Sequence, residues 1–243
     1  MDALTAARHT ATPIGDLGAR FMLDGLAYKR GAELGLPSGM GTYVLGRLGV
    51  MGDVDLDAAV AAAFFWNPDT IATNWSADDS AVTPSAAAPL YGQVCVERGR
   101  VYLAGFEGAA RLAELLERVV DSADDTDADL FAGWRDLERP TDPEGRAYLL
   151  TQVARELRFC RHVTVVQAAG ANPLALVLTK GGEANANLFG WNDLSCGPLD
   201  PEAHASIEAA TDQAAAADLQ CLTSDERAEL VELASAALAH GTA

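Results

Sequence analysis

Apolar residues along this chain recur mostly at the three- and four-residue spacing of a helix face. GAARLAELLERVVDSA, Gly108 to Ala123, puts Leu112, Leu115, Leu116, Val119 and Val120 on one side, with Glu114 and Arg118 at i,i+4 on another, and predicts an amphipathic helix. LDAAVAAAFFW, Leu56 to Trp66, predicts a second, opened by Asp53 or Asp55, whose carboxylate accepts from the unpaired N–H groups of a first turn. Asn67 and Pro68 end it and start another. PEGRAYLLTQVARELRFCRHVTVVQAAG predicts one long helix stopped by Gly170, and Asn172 with Pro173 opens the next, running to about Lys180. PEAHASIEAATDQAAAADL and SDERAELVELASAALAH, the second with Ser224 as N-cap, predict the last two.

Strand-like alternation is confined to YGQVCVERGRVYLAG, Tyr91 to Gly105, which suggests a hairpin turning at Arg98 and Gly99, although its helical neighbours favour a helix. The pattern therefore predicts an all-α, multi-helix bundle of about ten helices, with at most one short hairpin at 91–105. The acidic loop DSADDTDAD marks a joint between an N-terminal helical part, residues 1–123, and a C-terminal one, residues 124–243, which can equally form one continuous domain.

Composition narrows the function classes. With 17 Lys plus Arg against 35 Asp plus Glu the formal charge is −18, which argues against a nucleic-acid or anionic-membrane partner held by the molecule as a whole. Cys95, Cys160, Cys196 and Cys221 form no CxxC pair, so zinc and redox-dithiol sites are not indicated, and free thiols fit a reducing cytoplasm. The start, MDALTAARHTATPIGD, has no continuous apolar core, and Ala58 to Trp66 is far short of the roughly 20 residues that span a bilayer. A cytoplasmic protein with no membrane partner, no metal and no cofactor is expected.

Three stretches can carry chemistry. GMGTYVLGRLG, Gly39 to Gly49, lacks the Gly-Lys-Ser/Thr of a phosphate loop and reads better as a close helix contact, with Tyr43 and Arg47 at i,i+4 available to line a pocket. HASIEAATD places His204, Glu208 and Asp212 on one stripe, which without further ligands reads as an ion-paired helix face. In ARELRFCRH and the residues before it, a helical wheel puts Leu150, Val153, Leu157, Cys160 and Thr164 on a core stripe. Tyr148, Gln152, Arg155, Phe159, His162 and Val166 fall on the opposite one, with Arg158 at its margin and Glu156 between the two. Such a helix has one side on the core and one on a cavity, where Arg155 and Arg158 can grip an acidic group and His162, with a reference pKa of about 6.5, can move a proton. Among the tryptophans, Trp134 and Trp191 follow glycines at loop–helix junctions, and Trp134 is the candidate pocket wall.

TYVLGRLGVMGDVDLDAAVAAAFFWNP, LFAGWRDLERPTDPEGRAYLLTQVARELRFCRHVTVVQAAGANPLALVL, then LFGW and IEAATDQ, occur in an order that resembles an actinobacterial family of helix-turn-helix proteins over most of residues 28–235. NDLSCGPLDPEAHA stands where longer relatives carry a winged helix-turn-helix, and Phe159 and Cys160 stand where relatives have small residues. The resemblance implies a small-molecule role in specialised metabolism.

Together these readings predict a cofactor-free enzyme acting on an anionic small molecule by elimination, cyclisation or isomerisation. His162 and Arg155 are the catalytic candidates, and Arg158, Arg47, Tyr43, Tyr148, Gln152 and Trp134 the substrate-binding ones. The alternatives are a ligand-binding regulator without direct DNA contact, or a non-catalytic subunit of a hetero-oligomeric biosynthetic enzyme. The apolar helices leave room for a homo- or hetero-oligomer.

Overall fold

In a computed structural model, residues 1–75 and 82–242 are described, and among them the chain forms twelve α-helices and several 3-10 turns, with no strand. They are α1 (Ala3–Ala19), α2 (Gly25–Glu33), α3 (Met40–Leu48), α4 (Leu56–Ala62), α5 (Pro68–Trp75), α6 (Pro84–Tyr102), α7 (Ala109–Ser122), α8 (Asp129–Arg135), α9 (Pro143–Ala168), α10 (Pro173–Leu188), α11 (Pro201–Asp218) and α12 (Ser224–Thr242). The stretch that suggested a hairpin is the C-terminal part of α6. Its small residues let helices approach closely there: a Cβ on Gly99 would lie 2.3 Å from that of Tyr148 on α9. Burial on the α9 side thus overrides the strand-like alternation.

Local chemistry explains most element starts. Asp2, Asp24, Asp55, Thr83, Asp142, Asn172 and Asp200 each accept from a backbone N–H in the first turn of the helix they precede. Asp53 has a different job from capping α4: its carboxylate accepts from Ser85 N and Oγ at 2.9 and 2.8 Å and ties the turn after α3 to the start of α6. At α12 the cap is Thr223 rather than Ser224, because Thr223 and Glu226 exchange bonds between each backbone N–H and the other's side chain, a capping box. Glu114 and Arg118 do not pair with each other: Glu114 meets Arg111, and Arg118 meets Glu226.

Two departures from the predicted boundaries shape the site. Helix α4 stops at Ala62, so Phe64, Phe65 and Trp66 form a corner rather than a last turn. The corner is stitched to the far end of α10, Asn67 N donating to Phe189 O and Trp191 Nε1 to Phe65 O, both at 2.9 Å. Helix α10 runs past Lys180 to Leu188, but its backbone breaks at Gly181 and Gly182, the latter at φ +61°. That positive φ is open to glycine at little cost, and Asn185 Nδ2 takes up the Val177 carbonyl that the break frees.

Helix α9 is central, packing against α1, α6, α7, α8 and α11. The main apolar cluster gathers residues from Ala3 to Ala237, and a smaller one gathers Phe65, Val166, Leu174, Leu176, Val177, Ala186 and Ile207. Phe159 of α9 touches both. No helix of the described residues is long and apolar enough to cross a membrane.

Candidate functional site

Where the two apolar clusters meet at Phe159, a cavity of about 210 Å³ opens between α3, the Phe65–Trp66 corner, α9 and α10. Roomier grooves lie elsewhere: in one of about 540 Å³, Arg100 and Arg139 pair with Asp142 and Asp121, and in one of about 680 Å³, Arg98 pairs with Asp24 while Arg20 lies over the Tyr102 ring. The smaller cavity differs in being lined by Arg47, Arg155 and Lys180 and by no carboxylate among the described residues.

That charge comes from a buried node. Arg47 and Glu156, with side chains 1% and 0% exposed, form a forked pair in which Nε donates to Oε1 at 2.9 Å and Nη2 to Oε2 at 2.7 Å. Glu156 Oε1 also accepts from Gln152 Nε2 at 2.7 Å and Arg155 Nη1 at 2.9 Å. Burial alone would push the Glu156 carboxyl up, but Arg47 and Arg155 hold it below its ordinary value, so it is ionised. Burial likewise works against the Arg47 charge, and Glu156 outweighs it. Two guanidinium groups thus face one carboxylate. Lys180 on α10 is matched by Glu208 at 3.1 Å, so the cavity carries one surplus positive charge, on the Arg155 side.

Tyr43 adds a donor. Its hydroxyl oxygen accepts from Arg47 Nη1 at 3.1 Å and Trp66 Nε1 at 3.3 Å, and its own hydrogen has no acceptor among the described residues. The remaining wall is aromatic: Trp66 packs between Tyr43 and Phe189 with ring centroids 5.1 and 4.9 Å away, and Phe65 lies 5.8 Å from Phe159.

His162 is on the same wall, stacked 5.5 Å from the Phe65 ring. Thr211 Oγ1 spends its hydrogen on Ile207 O at 2.9 Å, so at the 2.8 Å contact with His162 it is the acceptor and Nδ1 carries the ring proton. Nε2 is left as a bare lone pair, buried and without a partner among the described residues. Burial, then Lys180, lowers the imidazole to about 4 against the opposing pull of Glu208, with Arg158 and His204 adding smaller lowering effects. The expectation that His162 titrates near neutrality is corrected accordingly: at neutral pH it is a neutral acceptor and base. Its stability contribution is complete above pH 6.5 and is lost as pH falls toward about 4, because the unfolded chain gains a proton there that the folded one resists. The wild-type unfolding midpoint should therefore fall further between those pH values than that of His162→Gln, since carboxylate effects are common to both. Parallel midpoint curves would refute the buried neutral state.

The structure brings Tyr43, Arg47, Arg155 and His162 together on this cavity. Arg47 supplies its charge through the node rather than as a free fork, since its Nε, Nη1 and Nη2 are all engaged. Gln152 sits behind the wall, bonded to Glu156. Arg158 lies apart, paired with Asp212 at 2.7 Å, because the margin of the wheel faces α11. Tyr148 shares the wheel stripe but lies where α1 closes over α9, its hydroxyl donating to Leu17 O at 2.9 Å. Trp134 is fully buried beneath α3, donating to Arg47 O at 3.2 Å, and is a prop rather than a wall. Glu156, Lys180, Trp66, Phe65, Asn185 and Phe189 complete the site, and the wheel of α9 alone did not mark them as such. The stripe of His204, Glu208 and Asp212 is ion-paired to Lys180, Arg158 and Arg8. Cys160, raised to about 11 by burial, is not poised as a nucleophile.

No curated protein and no solved structure matches the chain. A family model described as helix-turn-helix does match, over residues 7–195, and so covers the cavity-bearing helices α3 to α10 while leaving IEAATDQ beyond its end. The finding overturns the expectation of no nucleic-acid partner, which rested on overall charge and on the short NDLSCGPLDPEAHA segment: a helix-turn-helix is a nucleic-acid-binding motif, and a net charge of −18 does not weigh a local recognition element. With more than half of its length matched, the chain belongs to the helix-turn-helix family.

Proposed function

We propose that the protein binds an anionic small molecule in the Arg155–His162 cavity and catalyses a proton transfer on it without a cofactor, in an elimination, cyclisation or isomerisation. The single observation that carries this reading is the unpartnered, buried Nε2 of His162 on the wall of a cavity with a surplus positive charge. Arg155 and the Tyr43 hydroxyl hold the acidic group. His162 Nε2 takes a proton from the substrate and, as imidazolium, returns it to the leaving group or to another atom of the same molecule. An arriving anion strengthens the base: a unit charge about 10 Å away at an effective dielectric of about 20 favours the imidazolium by about 1.7 kcal/mol, a little over one pH unit.

The test is a panel of carboxylic acids whose double bond, hydroxyl or keto group lies remote from the carboxylate, incubated in deuterium oxide and followed by NMR. Wild type should convert or deuterate at least one of them, and His162→Ala should do so about 10²–10⁴-fold more slowly with an unchanged circular dichroism spectrum. Full activity in the folded variant, or an inert wild type, would sink the proposal.

Family membership favours a second reading, in which the same cavity is the effector site of a nucleic-acid-binding protein. A gel shift on the DNA upstream of its own gene separates the two. Salt-dependent retardation that an added acid alters supports the regulator; no retardation at low salt rejects it.

A further inference from the structure

We infer that the cavity takes a single-ring aryl monocarboxylate that carries an O–H or N–H donor at the end remote from its carboxylate. This rests on the anion-binding reading above and names the class of its ligand.

The charge count fixes one acidic group. Arg47 and Arg155 face Glu156, Lys180 faces Glu208, and His162 is uncharged, so one negative charge neutralises the site. A phosphate monoester would bring a second negative charge against Glu156 and Glu208. The charge belongs at Arg155, whose Nη1 alone is engaged among the described residues, beside the Tyr43 hydrogen that finds no acceptor among them.

The walls fix the body. Trp66, Phe65, Phe159 and Phe189 offer faces and edges inclined to one another, which suits a flat ring in offset or edge contact better than a flexible chain. Size agrees: a dry cavity of ~150 Å³ holds benzene. The additional space in about 210 Å³ accommodates a short acidic arm.

His162 fixes the far end. It follows Arg155 by seven residues, a rise of about 10 Å along α9, so the two groups meet opposite ends of a ligand made of a ring and a short arm. Because Nδ1 is committed to Thr211, Nε2 can only accept, and burial without a partner makes a ligand donor the group that satisfies it.

Isothermal titration calorimetry with five probes tests this: 3-(4-hydroxyphenyl)propanoate, 3-phenylpropanoate, 3-(4-hydroxyphenyl)propanamide, hexanoate and inorganic phosphate. On wild type the hydroxy acid should bind tightest, loss of the hydroxyl or of the charge should each weaken binding about tenfold, and hexanoate should bind more weakly than either aryl acid. Arg155→Met should abolish the preference for acid over amide, and His162→Phe the preference for the hydroxyl. If hexanoate or inorganic phosphate binds as tightly as the hydroxy acid and loses affinity in Arg155→Met, the class is wrong while the anion site stands. If no probe binds, or binding ignores Arg155, the anion-binding reading falls and the class with it. The wild-type series alone decides the class should a variant fail to fold.

Discussion

Glu156→Leu lowers the stability of the protein by about 3–5 kcal/mol, read as a fall in the urea midpoint at unchanged m-value. The lost attraction is the smaller part of that figure. The larger part is what the substitution strands: Arg47, 1% exposed and lying 4.5 Å from the Phe159 ring, keeps its charge in an interior that offers only Tyr43 in exchange. Against a total stability of about 5–15 kcal/mol, the loss brings the chain close to unfolding at ordinary temperature. The double variant Arg47→Met/Glu156→Leu should recover most of it, because apolar residues of similar volume can replace a buried pair at little net cost. A double-mutant cycle of the two positions would then show a coupling of several kcal/mol. A single-variant cost below about 1 kcal/mol would mean that water reaches the pair, and the surplus charge assigned to the cavity would go with it.

Gly133→Ala costs about 1–3 kcal/mol, although alanine is the better helix former by about 1 kcal/mol. Packing reverses the sign. A Cβ at Gly133 would lie 2.2 Å from Val50 O, and one at Gly49 2.0 Å from Pro84 O, so the turn after α3 is gripped on both sides by backbone. No side-chain rotation relieves such a contact; α8 or the turn itself must move. Trp134, the next residue along, bonds to Arg47 O, so the displacement reaches the buried node as well. Gly15 in α1 is the matched control: nothing lies within 4 Å of a Cβ there, and Gly15→Ala should stabilise by up to about 1 kcal/mol. Chemical denaturation of both variants checks the opposite signs; the same sign for the two would remove packing as the explanation.

The helical nature of the chain was legible because its apolar spacing is long and regular, as in α7 and α9. Boundaries set by tertiary contact were not. Nothing local in LDAAVAAAFFW stops a helix at Ala62; the bonds of Asn67 and Trp191 to distant partners do. The expected end of α10 at about Lys180 hid the portion of that helix, past the break at Gly181 and Gly182, that brings Asn185 and Phe189 to the cavity. The wheel of α9 put Arg155 and His162 on one side, and both line the cavity. It gave Glu156 no role because it assumes two faces, whereas α9 is surrounded and its intermediate direction meets Arg47. Tyr148 shows the opposite error: a stripe 26 residues long crosses several environments, and only its C-terminal part meets the cavity. Net charge misled in a third way, since it averages over a surface and carries no record of where a recognition element sits.

Helix α9 is at once the central strut of the bundle and the floor of the cavity. Occupancy and folding are consequently linked quantities in this protein. A ligand that engages Arg155 and His162 has no comparable site on the unfolded chain, and so adds RT ln(1 + [L]/Kd) to the stability of the entire fold, about 2.7 kcal/mol at a hundredfold excess over Kd. For such a ligand the melting temperature reports binding independently of any turnover, which gives the proposed function a readout separate from activity.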